Sequence, residues 1–509
     1  MRSIVLLLTL ALATPALAGP RGADDPDREP RPGPVDVHGE ARLRVDALRP
    51  FALDVLGTGA DRSWWLSSRI RVGVDLKPTD DVTVAFELEA LTGAFAGQWT
   101  SVGTSIERPF RVSRSSVEEL LHVLPRKLGV RVSKPTYSVT AGVQTFGWGS
   151  GMLSNAGDGD PIFGDAMQGG VVLRVGGAAT PWRPDASRGL ARGLVFFGAF
   201  DFVIRDDTAF LYRGDLASSG VGGVRLVGRR GEFGVLASAR FQSDRVDPYH
   251  AAERRPSLFA LPIDAYARWR FLPEDGPVHL TLEGEVAAVH GRTTRTYGEE
   301  TVDGARIHSF GALARVRLDV DPVRLTTQLE VGYASGDADP RDGVARAFTM
   351  NSDHNVGLIL FEQVLPLLTA RAVDRVADPE LSGTPAAGLR HGVAQGGVSN
   401  AVYVFPTVRI RPVHTLDVRL GWVLAVAPVQ PVDLYATAAN GGWSKGWGSG
   451  RLYGNEIDAG LHWTLLAPSP VRVGVKLGVE GGVFLPGSAF DSLDLGVPAT
   501  VRGHLAFTW

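Results

Sequence analysis

VRGHLAFTW, residues 501–509, sets Val501, Gly503, Leu505, Phe507 and Trp509 on one parity and Arg502, His504 and Thr508 on the other. Such alternation gives a β-strand one apolar and one polar face. A chain end inside a strand must pair with a neighbour, and in a closed barrel that neighbour is the first strand. The stretch points to an outer-membrane β-barrel.

Working back along the chain, Ile70, Val72, Val74 and Leu76 alternate with Arg69, Arg71, Gly73 and Asp75. After the turn Lys77 to Asp81, Val82, Val84, Phe86 and Leu88 alternate with Thr83, Glu87 and Glu89, which makes a hairpin with one apolar face. Further turns fall at Gly228 to Gly231, Pro273 to Gly276, Asp319 to Pro322, Arg411 to His414 and Ala467 to Pro470, with less distinct connections near Pro125 to Pro135 and Pro181 to Ala191. Between them lie longer segments rich in Gly, Asp and Asn, at 48–64, 93–111, 148–168, 205–219, 244–261, 291–306, 335–397, 428–453 and 485–498. Short and long connections that alternate are the periplasmic turns and extracellular loops of a bacterial barrel, and the segments between them number about 18. Ten residues at ~3.4 Å each, tilted about 40°, cover roughly 26 Å, the height of the apolar band in such walls.

The opposite parity supplies the candidate pore lining: Arg69 and Arg71, Glu87 and Glu89, Arg268 and Arg270, Glu283 and Glu285, Arg315 and Arg317, then Arg324, Glu330, Arg409 and Arg419. A polar lumen of mixed sign, rich in arginine, is expected. Arginine stays charged and forks onto carboxylates and phosphates, so rings of it can pass anions along a wet pore. Interior ion pairs that only brace the wall would account for the same residues.

The other end reads as an address. Met1-Arg2-Ser3 is basic, Ile4 to Leu12 is apolar, and Ala16-Leu17-Ala18 is a small-residue cleavage site, so residues 1–18 are expected to be a cleaved signal peptide. Residues 19–34, rich in Pro, Gly and charge, read as a disordered leader, and 35–509 as a single barrel. With no cysteine there is neither a disulfide nor a thiolate metal site. A net charge of -3 gives no reason to bind nucleic acid. After the signal no run of about 20 apolar residues occurs, and Val356 to Val373, the nearest, contains Glu362, Gln363 and Arg371. A barrel hides its hydrophobicity at every second position, consistent with a mean hydropathy of +0.04.

Gly-Trp-Gly-Ser-Gly occurs at 147–151 and again at 446–450, in loops beside strands, where both copies can shape a pore mouth or contribute to an aromatic girdle. They lack the context of a nucleophile elbow or phosphate loop. Asp158 and Asp160 with Asn155 and Asp165, and Asp337 and Asp339 with Asp342, offer oxygen ligands for calcium but not at EF-hand spacing; solvated turns explain them as well. No H-E-x-x-H pair occurs, His462 and His504 fall on the inward parity, and no metal site or cofactor is expected. The long segment 335–397, with an apolar run from Val356 to Thr369 broken at Pro366, is a candidate constriction or an extracellular cap.

Tyr333-Ala334-Ser335-Gly336-Asp337 at a strand end and Tyr453-Gly454-Asn455-Glu456-Ile457-Asp458 opening a later strand resemble elements of the outer-membrane alginate-export channel family. Gly147 to Gly151 with Met152, Leu153 and Asn155 resembles a loop of uncharacterised outer-membrane barrel relatives. The resemblance implies an 18-stranded barrel whose arginine-rich lumen passes a polyanionic sugar polymer. The many carboxylates in this lumen depart from that pattern, so the fold carries over and the substrate does not. The expectation is a monomeric, non-enzymatic outer-membrane channel, embedded in lipid, that passes hydrophilic solutes, including anionic or saccharide ones. A secreted or surface β-protein that binds or cleaves glycans, and a barrel that serves as an adhesin or scaffold without transport, are the competing classes.

Overall fold

The computed structural model describes residues 34–509 except 61–62, 99–101, 103–122, 167–168, 182–192, 229, 246–254, 272–275, 296–303, 340–341, 379–388, 441–445 and 469–471. The expected signal segment 1–18 and all but the last residue of the expected leader lie outside these.

Eighteen strands form one closed antiparallel barrel. The first, Val35–Leu48, pairs on one side with Trp64–Thr79 and on the other with the last, Ala499–Thr508, in a register running from Glu40 opposite Thr508 to Leu48 opposite Thr500. Gly39 and Trp509 exchange both backbone hydrogen bonds, N–H to carbonyl, at 3.0 and 3.1 Å. The pairing expected of the final residues is therefore met by the first strand. Ring closure leaves neither strand an open edge.

Alternation along the strands sorts side chains to two environments. In Ser257–Arg270, Leu261, Ile263 and Trp269 are exposed on the outside, whereas Ala260, Asp264 and Tyr266 are buried inside. In Trp64–Thr79, Trp65, Ser67, Arg69 and Arg71 are buried, and the intervening residues are more exposed. The same outward row continues around the wall through Val130, Val175, Phe200, Phe233, Val316, Leu420, Leu461 and Val479. An unbroken apolar belt results, far larger than a soluble monomer ordinarily leaves uncovered.

Because consecutive strands run in opposite directions, alternate connections lie on the same rim. The rim where the first strand begins and the last strand ends has the tight turns Thr79–Val82, Lys134–Tyr137, Val227–Gly231, Val320–Leu325 and Val413–Leu416. The other rim carries the long connections, among them those between Thr145 and Val171, Ala334 and Ala401, and Val426 and Leu452. Two expectations need correction. The stretch Pro125 to Pro135, read as a connection, is mostly the strand Leu124–Lys134, and only its end turns. Pro366, read as a break, does not end the helix: the π turn Leu360–Val364 runs directly into helix α1, Leu365–Ala377, and Pro366 sits just after that junction.

The barrel is not empty. Val356, Leu358, Ile359, Leu360, Phe361, Val364 and Leu368 are all buried, and they form one apolar cluster with wall residues such as Tyr403, Phe405 and Phe484. α1 is buried along most of its length, with Leu367, Leu368, Ala370, Ala372, Val373 and Val376 all inaccessible. The long connection Ala334 to Ala401 thus folds inward and supplies an apolar core inside a wall whose inner face is charged.

Candidate functional site

A second connection, residues 146–170, also enters the barrel and lies across it as a strap. Its first glycine-rich motif meets one side of the wall. The Trp148 indole Nε1 donates to Asp264 Oδ1 at 2.9 Å, and the Ser150 backbone N–H and hydroxyl donate to Glu285 Oε2 at 2.5 and 2.6 Å. Gly149 has φ +59°, and a Cβ there would fall 2.4 Å from Glu285 Oε2, so only glycine lets the backbone come this close.

The remainder of the strap is gripped by arginines of the opposite wall. Arg71 Nη1 donates to the Gly157 carbonyl at 2.9 Å, and Arg126 Nη2 donates to the Ala156 carbonyl and to Asp158 at 2.9 and 2.6 Å. Arg419 Nη1 donates to the Ile162 carbonyl at 2.8 Å, and Arg69 bonds the carbonyl of Ala166. Arg42 pairs with Asp165. Burial by itself raises the Asp165 carboxyl, yet Arg69, Arg42 and Arg44 together hold it well below the usual carboxylate range. Asp160 is also held low against its burial, by Lys476 and Arg419.

The expected pore-lining residues consequently divide into two groups. Arg69, Arg71, Glu87, Glu89 and Arg419 are all at most 7% exposed and hold the strap: Arg71 Nε donates to Glu89 at 2.8 Å, and Arg126 Nε donates to Glu87 at 2.9 Å. Arg409 pairs with Asp417 beside them. In the other half, Arg268, Arg270, Glu283, Arg315 and Arg317 line an open chamber of about 700 Å³. Arg315 bridges that chamber to Glu330, donating at 2.5 Å, and Glu330 also accepts the Tyr403 hydroxyl at 2.5 Å and faces His354 at 2.9 Å. Arg324 is placed differently from the expectation. It caps the turn Asp321–Val323 in the left-handed region, at φ 49°, and its guanidinium lies 3.0 Å from His414 on the neighbouring turn, so it belongs to the rim.

A second chamber, about 730 Å³, lies nearer the long connections. Its lining mixes apolar groups such as Val203, Leu236 and Val289 with Asp206, Asp207, Arg240 and Arg295. Asp207 accepts the Ser352 N–H and hydroxyl at 2.8 and 2.7 Å, and burial pushes its carboxyl up to about 6.

The remaining candidates also find partners. Asp158 and Asp160 are ion-paired with arginine and lysine, and Asp337 accepts the backbone N–H of Asp339 and Arg346. Among the described residues no group of three or more His, Asp or Glu side chains is arranged to hold a metal. Neither glycine-rich motif joins a girdle. Trp148 is inside the lumen against Phe197, at 5.4 Å between ring centres, and Trp447 is buried and stacked on Phe490 at 6.1 Å. His462 and His504 do sit inside, 3.1 Å apart, with His462 bonded to Glu480 at 3.0 Å.

Sequence reading missed Asp264's contact with Trp148, and it missed Arg126, which is completely buried. For Arg126 the alternation pointed the wrong way: it shares parity with the outward Leu128 and Val130, and a register shift between Lys127 and Pro125 turns it inward.

A closed wall of 18 antiparallel strands, apolar outside and charged inside, is the architecture of an outer-membrane-type barrel. No family model matches the chain and no curated protein matches it. Several solved structures are similar in fold. Pseudomonas aeruginosa OpdK, crystallised with vanillate, is 10% identical over 93% of this chain and 98% of its own, with a TM-score of 0.48. Pseudomonas aeruginosa OccK5 (OpdH) is 10% identical over 93% and 97%, at 0.47, and Acinetobacter baumannii OccAB4 is 7% identical over 93% and 98%, at 0.48. None of this singles out the alginate-export family.

Proposed function

We propose that the protein is an outer-membrane channel that admits small hydrophilic solutes, saccharides among them, through the half of its lumen that the strap leaves open. The two chambers inside a wall with an apolar outer belt carry this reading. A belt of this size calls for a hydrocarbon surround, and interior chambers lined by charge call for water. Export by a cleaved signal 1–18 and function as a monomer belong to the same proposal.

The candidate pore lining contributes unequally to it. Arg268, Arg270, Arg315, Arg317, Glu283 and Glu330 serve the pathway, while Arg69, Arg71, Glu87, Glu89, Arg409 and Arg419 position the strap that narrows it. Most of the arginines have carboxylate partners, so their number alone does not make the pore anionic in preference. Kinship with alginate exporters enters the proposal only as a shared kind of wall.

Liposome swelling tests the reading. Vesicles carrying the refolded protein are expected to swell in isotonic sugars, with rates that fall as the sugar grows. Vesicles holding a correctly folded barrel that stay shut to the smallest sugars would overturn it.

A further inference from the structure

The two chambers share the same strands at different heights. In Ser257–Arg270, Arg268 and Arg270 line the chamber near the tight turns, and Leu258 and Pro262 line the other. In Val278–Thr293, Thr281 and Glu283 line the first, and Val289 and Thr293 the second. The inward residues left between them are Asp264 and Tyr266 on one strand and Glu285 and Ala287 on the next. At that height the strap delivers Trp148 and Ser150 onto Asp264 and Glu285.

This junction differs in charge from both chambers. Five arginines face four carboxylates in the lower one, and two arginines face three aspartates in the upper one. At the junction Asp264 and Glu285 are 0% and 1% exposed, and every donor that reaches them is neutral: an indole, a backbone amide and a hydroxyl. Asp264 and Glu285 also hydrogen-bond to each other through their side chains, which requires one proton held between the two carboxyls. A buried carboxyl pair that holds one proton and has no cation bonded to it carries one uncompensated negative charge, and a permeating cation can complete it.

We propose that Asp264 and Glu285, closed over by Trp148, are the selectivity filter of the pathway, and that the filter favours alkali-metal ions and small organic ammonium solutes over anions. This rests on the channel reading above. Trp148 acts as the barrier that must swing aside, and the two carboxyls supply the preference. Gly234, on the strand next to that of Asp264, lies under the indole, where a Cβ would fall 2.7 Å from the Trp148 ring, so the wall is cut away to seat it.

Planar bilayers with a potassium chloride gradient test this, with folding of each variant checked by its heat-modifiable gel mobility. The wild type is expected to conduct weakly and to prefer potassium. Asp264→Asn combined with Glu285→Gln, both near-isosteric, is expected to lower the potassium-to-chloride permeability ratio severalfold. Trp148→Ala is expected to raise conductance severalfold and keep the cation preference. An anion-selective wild type, an unchanged ratio in the double variant, or an unchanged conductance in Trp148→Ala would each overturn the filter while leaving a channel in place. Folded protein that gives no current in any variant would overturn both the filter and the channel reading.

Discussion

Glu456, on the wall, accepts the backbone N–H of Ile359, in the segment that fills the lumen, at 2.8 Å. The same carboxylate also takes the N–H of Leu358 and Leu360, at 2.5 and 2.8 Å. Three successive amides that cannot all find helical partners are thereby satisfied in a buried place. Gly357 makes the approach possible, with φ +74° and no Cβ to meet the carboxylate.

Glu456→Ala should strip those amides of their acceptor, at about 1–3 kcal/mol for each group left unsatisfied. The wall should persist while the inner segment loosens. Limited proteolysis of the folded protein should then cut between residues 348 and 377 faster than in the wild type, with Glu456→Gln intermediate. Equal cleavage rates in all three would show that the carboxylate does not anchor the segment.

Arg502, on the last strand, ties two elements together. Its Nε donates to Asp46 on the first strand at 2.8 Å, and its Nη2 donates to Glu362 of the inner segment at 3.1 Å. All three are at most 3% exposed. Arg502→Met should cost about 3–5 kcal/mol, because it removes the buried cation that joins Glu362 to Asp46 and leaves Asp46 to Arg44 alone. Urea unfolding from lipid vesicles measures this, and a loss below 1 kcal/mol, of the order of an exposed pair, would contradict it.

Depth in the membrane should grade the cost of a charge on the outer face. Val286, 45% exposed near the middle of its strand, and Val413, 52% exposed beside a tight turn, share that face. Val286→Arg should destabilise by ~2–4 kcal/mol and Val413→Arg by about 0–1 kcal/mol in the same vesicle assay. Equal costs would argue against a hydrocarbon surround.

Asp207 gives a pH dependence of defined sign. Burial raises its carboxyl to about 6 in the folded protein, above the unfolded value, so between these two values the folded state holds more protons. Stability contributed by this group is present at low pH and is lost as pH rises through about 6. Asp207→Asn should therefore be more stable than the wild type at neutral pH, and the difference should shrink as pH falls below the unfolded value. A difference that grows on acidification would have the wrong sign.

The wall was legible in the sequence because it is written locally. Ile70, Val72 and Val74 against Arg69 and Arg71 declare two faces within six residues, and register follows from which face must avoid water. The strap was not legible, for its contacts join residues far apart in the chain. Arg419 meets the carbonyl of Ile162 from 257 positions away, and Gly164 donates to Glu480 across 316. Alternation shows that an arginine points inward but not what lies opposite, so open lining and buried clamps look alike.

The inner segment sent a mixed signal for a related reason. Val356 to Val373 is apolar on more than one face because wall and strap both pack against it, and Glu362 and Arg371 interrupt the run only because partners await them at Arg502 and Asp54. The repeated glycine-tryptophan motif suggested a girdle on composition alone. Its first copy carries glycine at 149 for a reason visible only when Glu285 is in place.

The most direct test of the central claim uses single cysteines introduced one at a time from Leu261 to Arg270, which the cysteine-free chain permits without background. Spin labels attached to the protein in lipid vesicles report collision with oxygen, which concentrates in hydrocarbon, and with a water-soluble nickel chelate. A two-residue alternation is predicted, with Leu261→Cys, Ile263→Cys and Trp269→Cys favouring oxygen and Arg268→Cys and Arg270→Cys favouring the chelate. Accessibilities that do not alternate, or that favour the chelate at the apolar positions, would contradict a wall that separates lipid from an internal pathway.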